Sequence, residues 1–404
     1  MKLLERPLYL SAIKSRLGFN MIVCLTGQRR VGKSSILKTL REELEQSSAN
    51  VIYINKEKNE FDSITDYTHL NDYIHNNLSD TEHNYILIDE VQNIDGFQKS
   101  LGNYYDRDNI DIVVTGSNAK MFSGELATLL SGRYFSIHIG SLSYPEFMTF
   151  HGLEDNDQSL NKYLNTGGLP NLRLLPIDDS NAVNDYLQSI YSTIVLKDVV
   201  EREGIRNVAF LERLTRYIAD NIGKLFSVTN IATFMANEKD DVPSTTVKNY
   251  MRSLCNAYII NKIDRWDVRG KQILSTNEKY YFEDLGLRNI LTSGNRKFDI
   301  EKLLENAVYL HLKTMGYTVN IGAMRAGEVD FVASKGNDRV YLQVAYLIAS
   351  EETYNREFGT LMKIKDNYPK MVVSMDPLYS ESSYDGIIHI PLRKFLTMSA
   401  ICSQ

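Results

Sequence analysis

The stretch MIVCLTGQRRVGKSSILKTLREELEQ, residues 21–46, decides the fold. Met21 to Leu25 is a short apolar run without polar alternation, as in a strand covered on both faces of a parallel sheet. Gly27-Gln28-Arg29-Arg30-Val31-Gly32-Lys33-Ser34 then matches GxxxxGK[ST] in full, and Ser35 follows. After it, Ile36, Leu37, Leu40 and Leu44 recur at helical spacing. The chemistry explains the pattern. Gly27 and Gly32 let the backbone curl so that its N–H groups face phosphates, Lys33 reaches the β and γ phosphates, and Ser34 ligates Mg2+. A chance glycine turn before a helix is the bland reading, and it does not bring strand, loop and helix together. Residues 27–35 are thus the expected ATP-binding set, with Lys33 also expected to act in catalysis.

Working outward, YILIDE (85–90) gives a second buried strand that ends in two acids. Asp89 is expected to hold the Mg2+ and Glu90 to polarise the attacking water. A third strand, IDIVVTGSN (110–118), ends in small polar residues, where Ser117 or Asn118 fits either a γ-phosphate sensor or a helix cap. Arg133 is expected at the end of a helix, immediately before a strand. There it serves either as a finger reaching a neighbouring subunit's nucleotide or as a surface cation favouring a helix C-terminus.

At 404 residues, two or three domains are expected. A hydrophobic content of 43% with 24% charged residues suits a globular chain, and the net charge of −6 excludes a generally basic nucleic-acid coat while allowing a local basic face. Cys24, Cys255 and Cys402 are far apart, with no CxxC pair and no histidine cluster, so zinc is not expected and a reducing compartment is. No apolar run approaches the roughly 18 residues that span a bilayer. A cytoplasmic protein with no membrane partner is the reading.

Several of these segments carry a resemblance. GQRRVGKSS (27–35), LIDEVQ (87–92), VTGSNAKMFSGELATLLSGR (114–133), SLSYPEF (141–147) and GGLP (167–170) resemble a bacterial and archaeal group of AAA+-like ATPases. That group is related to the STAND signalling ATPases, and a domain of unknown function follows its ATPase core. PSTTVKNYMRSL (243–254), KYYFEDLGLRN (279–289), GEVDFV (327–332) and YLQVAYLI (341–348) match the appended region. The resemblance implies an α/β fold: an AAA+-like P-loop ATPase domain over 1–150 with a parallel sheet, then a helical lid over 151–205. Gly167, Gly168 and Pro170 would turn at the ATP side, although Gly-Gly-x-Pro breaks helices anywhere.

Residues 206–297 read as three helices and a strand pair, a winged helix, with Ser244 as N-cap of the third helix. In a DNA-reading mode Ser244, Thr245, Lys248, Asn249 and Arg252 would face the major groove, and Arg265, Arg269 and Lys271 would touch phosphates. The acidic NEKDDVP turn favours a structural or protein-partner role instead. Over 298–404, the order helix, three strands, helix, strand, with EVDF and LQV, resembles the PD-(D/E)xK nuclease core. The resemblance makes Glu305, Asp330 and Gln343 metal ligands, but the catalytic lysine's position holds Ala345. A migrated lysine, Lys363 or Lys365, or an inactive retained scaffold are the two readings, and no DNA cleavage is expected. The function expected is an ATP-binding and ATP-hydrolysing switch coupled to the winged helix. Its expected cofactors are ATP and Mg2+, and its expected partners are double-stranded DNA and further copies of the chain. The alternatives are an ATP-gated binding module with negligible turnover, or an ATP-regulated DNA nuclease.

Overall fold

The apolar run at Met21 does become a buried strand, and four more like it line up beside it. The computed structural model describes residues 5–47, 49–119, 132–237, 242–292, 299–325, 327–377 and 382–401. The chain divides into two compact units: residues up to Ile139 with Asn256–Tyr258, and residues 140–255 with those from Ile259 onward.

The first unit runs α1 (Pro7–Lys14), β1 (Ile22–Thr26), α2 (Lys33–Gln46), β2 (Asn50–Asn55), α3 (Tyr67–Asn77), β3 (Asn84–Asp89), α4 (Phe97–Leu101), β4 (Ile110–Gly116) and β5 (Tyr134–His138). All five strands are parallel, in the order β2-β3-β4-β1-β5. Every residue of β1 and β4 is buried, which is why both read as unbroken apolar runs. On one face Ile22, Cys24, Ile88 and Val114 pack with Leu70 and Ile74 of α3 and Phe97 of α4. Burial pushes the Cys24 thiol well up, so this cysteine is a packing residue. The helix expected ahead of Arg133 falls on residues 120–131, outside the described residues.

The second unit opens with helices: α5 (Tyr144–His151), α6 (Asp157–Thr166), α7 (Ser180–Thr193), α8 (Val208–Asn221), α9 (Val228–Asn237) and α10 (Ser244–Asn256). Next come β6 (Ile260–Asp267), β7 (Gln272–Phe282), α11 (Leu285–Asn289), α12 (Ile300–Thr314), β8 (Thr318–Ala323), β9 (Glu328–Lys335), β10 (Asp338–Ala345) and α13 (Glu351–Met362). The chain ends with β11 (Lys370–Ser374), β12 (Ser382–Tyr384), β13 (Ile387–Pro391) and α14 (Leu392–Phe395). Three helices and a strand pair thus do stand where a winged helix was expected. Their hairpin, however, is built into a larger sheet. β6 pairs in parallel with β8, giving one eight-stranded sheet, β12-β13-β11-β10-β9-β8-β6-β7. In α10, Val247, Met251 and Leu254 are buried, while Thr245, Lys248, Asn249 and Arg252 are exposed. The expected cap differs: Ser244 is the first helical residue, and Pro243 O accepts from Thr246 N and Val247 N.

Gly167 and Gly168 meet a close neighbour in the second unit. A side chain on Gly167 would lie 2.4 Å from Asp284 Oδ1, and Gly168 N donates to Asp284 Oδ2 at 2.8 Å. Asp284 is itself fully buried and caps α11 through Leu287 N at 3.0 Å. The GGLP turn is therefore a packing device around a buried carboxylate.

Candidate functional site

In a parallel sheet the C-terminal ends of the strands gather at one edge, and loops there face a common ligand. The loop after β1 is at that edge. Gly27 has φ 139°, and a Cβ there would come within 2.2 Å of Ile139 O, so only glycine fits. Gly32 (φ 100°) and Arg30 (φ 70°) complete the curl. Val31 is fully buried, and its carbonyl accepts from Arg6 Nη1 at 3.1 Å. Lys33 is 4% exposed, and its ammonium donates to Gly27 O (2.9 Å) and Gln28 O (2.8 Å). Arg29 pairs with Glu57 at 3.2 Å, whereas Arg30 and Ser35 are exposed.

The end of β3 meets this loop across β4. Ser34 Oγ donates to Asp89 Oδ1 at 3.0 Å, and Thr115 Oγ1 donates to the same oxygen at 2.6 Å. Asp89 Oδ2 is buried with no partner among the described residues. Burial raises the Asp89 pKa, and the charges of Glu90 and Glu57 add to that against the Thr115 and Ser34 hydrogen bonds. A buried carboxylate oxygen left unsatisfied beside a serine hydroxyl is a fitting seat for Mg2+, which takes one or two carboxylates and otherwise phosphates and water.

Glu90 is held in the left-handed region (φ 55°) with its N–H donating to Thr115 Oγ1 at 2.9 Å. Its Oε2 accepts from Ser117 Oγ at 3.1 Å and from Gln92 Nε2. Burial pushes the Glu90 carboxyl up, but Lys33 and Arg29, with the Gln92 and Ser117 hydrogen bonds, bring it below its ordinary value. The carboxylate is thus ionised and aimed. The structure brings Lys33, Ser34, Asp89, Glu90 and Ser117 together, and Asn118 is buried beside them in sequence at 6% exposure.

Arg133 is elsewhere. It precedes β5, and its carbonyl accepts from Ile22 N at 3.1 Å, at the start of β1. Its guanidinium lies against the Tyr105 ring and hydroxyl. The loop follows the other end of β1, so a five-residue strand, about 15 Å, separates the two. Arg133 cannot serve its own loop.

Arg6, Thr115 and Gln92 are not singled out by the sequence, whereas Gln28 belongs to the expected ATP-binding set. Gln28 is 1% exposed, and neither side-chain polar atom has a partner among the described residues. Gln92 lies in LIDEVQ, two residues beyond Glu90, and that spacing was the available signal.

A second charged cluster sits in the second unit. Asp330 Oδ2 accepts from Val344 N (2.8 Å), Gln343 Oε1 accepts from Asp330 N (2.7 Å), and Gln343 Nε2 donates to Glu357 (3.0 Å). Tyr281 OH donates to Glu305 at 2.8 Å. Enclosure away from water, then the Asp330 charge, pushes Glu305 up to about 8 and Glu357 up to about 7. Two cations stand here: Arg356, bonded to Glu357 at 2.7 Å, and Lys279 of β7, paired with Glu328 at 2.5 Å and feeling the charges of Glu305 and Asp330. Lys363 and Lys365, expected in that role, are not among these partners; both line a cavity described below. The lysine arrives from a strand that sequence order assigns to the wing. Ala345 is fully buried in the core of the sheet. Among the described residues no group of three or more His, Cys, Asp or Glu is arranged to hold a metal ion. None of their helices is long and apolar enough to cross a membrane.

Residues 19–148 match an AAA domain and residues 157–297 match a domain of unknown function (DUF8612). An uncharacterised Haemophilus influenzae protein is 34% identical over 393 residues, covering 95% of this chain and 96% of its own. An uncharacterised Methanocaldococcus jannaschii protein is 27% identical over 363 residues, covering 86% and 79%. Among solved structures, AMPPCP-bound DnaA from Aquifex aeolicus aligns at 14% identity and a TM-score of 0.32, over 61% of this chain and 85% of its own. The Aeropyrum pernix Orc1 protein in complex with DNA aligns at 13% and 0.31, over 72% and 92%. Scores of that size say nothing of partners.

Proposed function

We propose, from the premise that this chain belongs to the same family as the Haemophilus influenzae protein and carries an AAA+-like P-loop ATPase domain, that it is an ATP-binding and ATP-hydrolysing switch. The observation that carries the reading is the joined set Lys33, Ser34, Asp89, Thr115, Glu90 and Ser117, in which one carboxylate is ionised and the other has a buried oxygen to spare. Lys33 exchanges its two loop carbonyls for β- and γ-phosphate oxygens, and the loop N–H groups take the remaining negative charge. Ser34 and Asp89 would hold Mg2+, which would supply charge neutralisation to those phosphates. Glu90 accepts a proton from the attacking water, and Ser117 and Asn118 flank the γ-phosphate. The deciding experiment is ATPase activity of the purified protein with and without DNA; no turnover in either would favour the ATP-gated binding module.

Gln92 is proposed to position Glu90. Gln92→Ala is expected to lower kcat by about tenfold with little change in KM for ATP. Because the Gln92 hydrogen bond lowers the Glu90 pKa, its loss raises that pKa, and the acid limb of the kcat–pH profile moves to higher pH. An unmoved acid limb would refute this role.

Arg133 is proposed to act in trans, since its own loop lies at the far end of β1. Arg133→Ala protein is expected to bind ATP normally and hydrolyse it slowly. Mixing it with Glu90→Gln protein should recover part of the activity at shared interfaces. A fully active monomer would rule the finger out.

A second reading, an ATP-regulated DNA nuclease, is favoured by Lys279, which stands beside Glu305 and Asp330. Its ligand set weighs against it. The Gln343 oxygen is engaged by Asp330 N, and Lys279 is already paired with Glu328. We therefore expect no Mg2+- or Mn2+-dependent nicking of plasmid or single-stranded DNA, with or without ATP. Nicking that disappears in both Asp330→Ala and Lys279→Ala would establish the nuclease instead. The exposed Lys248 and Arg252 of α10 are the proposed duplex contacts, with a protein partner as the competing use of that face.

A further inference from the structure

Three turns of the second unit converge at one place in the eight-stranded sheet. The parallel pairing of β6 and β8 ends at Asp267↔Ala323, and Val268 N continues it by donating to Ala323 O at 3.0 Å. The β6–β7 turn and the β8–β9 turn are therefore neighbours. The segment between α13 and β11 joins them. Together they line a cavity of about 410 Å³, within the size range of small-ligand sites.

Its charge is one-sided. Arg269 and Lys271 come from the first turn, Arg325 from the second, and Lys363 and Lys365 from the third. None of the five has an ion pair among the described residues. Asp366 is the acid in the lining, and it is committed elsewhere: Tyr341 OH donates to its Oδ2 at 2.6 Å, and Lys370 lies 3.7 Å from its Oδ1. Asp267, in the β6–β7 turn, is occupied by Arg269 N at 3.0 Å. Five cations from three segments repel one another, and an anion relieves that repulsion. On a chain of net charge −6 the concentration is local.

The surroundings narrow the anion. Val268, Met324 and Ile364 give the cavity an apolar floor. Two residues from Val268 and Asp366 stand Trp266 and Tyr368, with the Arg339 guanidinium stacked on both at 5.1 and 5.2 Å. Tyr368 keeps 37% of its surface exposed. Cations, an apolar floor and an adjoining aromatic stack are the parts that hold a phosphate with its base splayed out, rather than a smooth duplex.

We propose that this cavity binds the phosphates and an unstacked base of a single-stranded nucleic acid. The same chemistry belongs to a free nucleotide, so the test has two arms. Binding of a fluorescein-labelled oligothymidylate of about 20 nucleotides to the full chain is followed by anisotropy across a salt series. The triple variant Arg325→Ala, Lys363→Ala, Lys365→Ala should bind at least about tenfold more weakly, with the log–log salt slope reduced by about 2. These side chains are exposed, so circular dichroism and melting should be unchanged. Lys14→Ala with Lys224→Ala, exposed cations away from the cavity lining, should leave the strand affinity unaltered. In the second arm, performed on the Lys33→Ala background so that the ATP loop does not compete, dTMP and ATP at millimolar excess should displace the strand only weakly. Efficient displacement assigns the cavity to a free nucleotide and overturns the strand. Equal binding by wild type and triple variant, or preference for an unlabelled duplex competitor, also overturns it. Every lining residue lies outside the ATP loop, so failure here leaves the ATPase proposal untouched, and failure of the ATPase leaves this one.

Discussion

Lys33→Ala protein is expected to bind ATP at least roughly 100-fold more weakly than wild type, corresponding to the loss of about 3 kcal/mol. Lys33 is the cation inside the curled loop, 4% exposed and held by two loop carbonyls. Those carbonyls are ordinary neutral acceptors, and a triphosphate offers charged ones, so the exchange is favourable. Alanine leaves the loop N–H groups in place but removes the ammonium buried among them. The fold should persist, since Lys33 is the first residue of α2, where alanine is a strong helix former, and the change opens no apolar core. The measurement is ATP affinity by calorimetry with Mg2+ present. Affinity within a few-fold of wild type would sink the assignment.

Glu90→Gln is expected to do the opposite: to keep ATP affinity and lower turnover by about 10²–10⁴-fold. The amide preserves shape and can still accept from Ser117 through its oxygen, but it cannot take a proton from water. The environment supports this assignment. Lys33 and Arg29 keep the carboxylate ionised despite its burial, so at neutral pH the wild-type base is ready. An unpaired charge buried this deeply would cost several kcal/mol, and the two cations offset that. Single-turnover kinetics with pre-bound ATP separate chemistry from binding. Unchanged turnover would move the base elsewhere.

The ATP site was legible because its parts are local. The loop and its helix are contiguous, and acids at the end of an apolar strand announce a strand edge. What escaped came from distant chain. Arg6 reaches Val31 across 25 residues, and Thr115 reaches Asp89 from a parallel neighbour. Arg133 was legible as a residue but not as a position: only the parallel register shows it at the far edge of the sheet. In the tail, Lys363 and Lys365 follow the helix next to Gln343 and so looked like replacements for the missing lysine. The actual amine, Lys279, sits 66 residues before the nuclease-like position Ala345 in sequence. No periodicity reveals that a hairpin of one segment pairs in parallel with a strand of the next. That single pairing made both the lysine's place and the basic cavity invisible from sequence.

The β6–β8 pairing also bears on how such a chain can be inherited. A chain shortened at residue 297 would lose the neighbour of β6 and leave an open strand edge, the usual template for aggregation. It would also lose Asn306, whose amide bonds both backbone groups of Phe282 at 2.8 and 2.9 Å, and would strip Lys279 of Glu328. A swap of the final hundred residues for another cargo would therefore have to supply a new neighbour for β6 and new partners for Phe282 and Lys279. Natural variation in this lineage should occur by change within the sheet, or by replacement of the whole second unit at once.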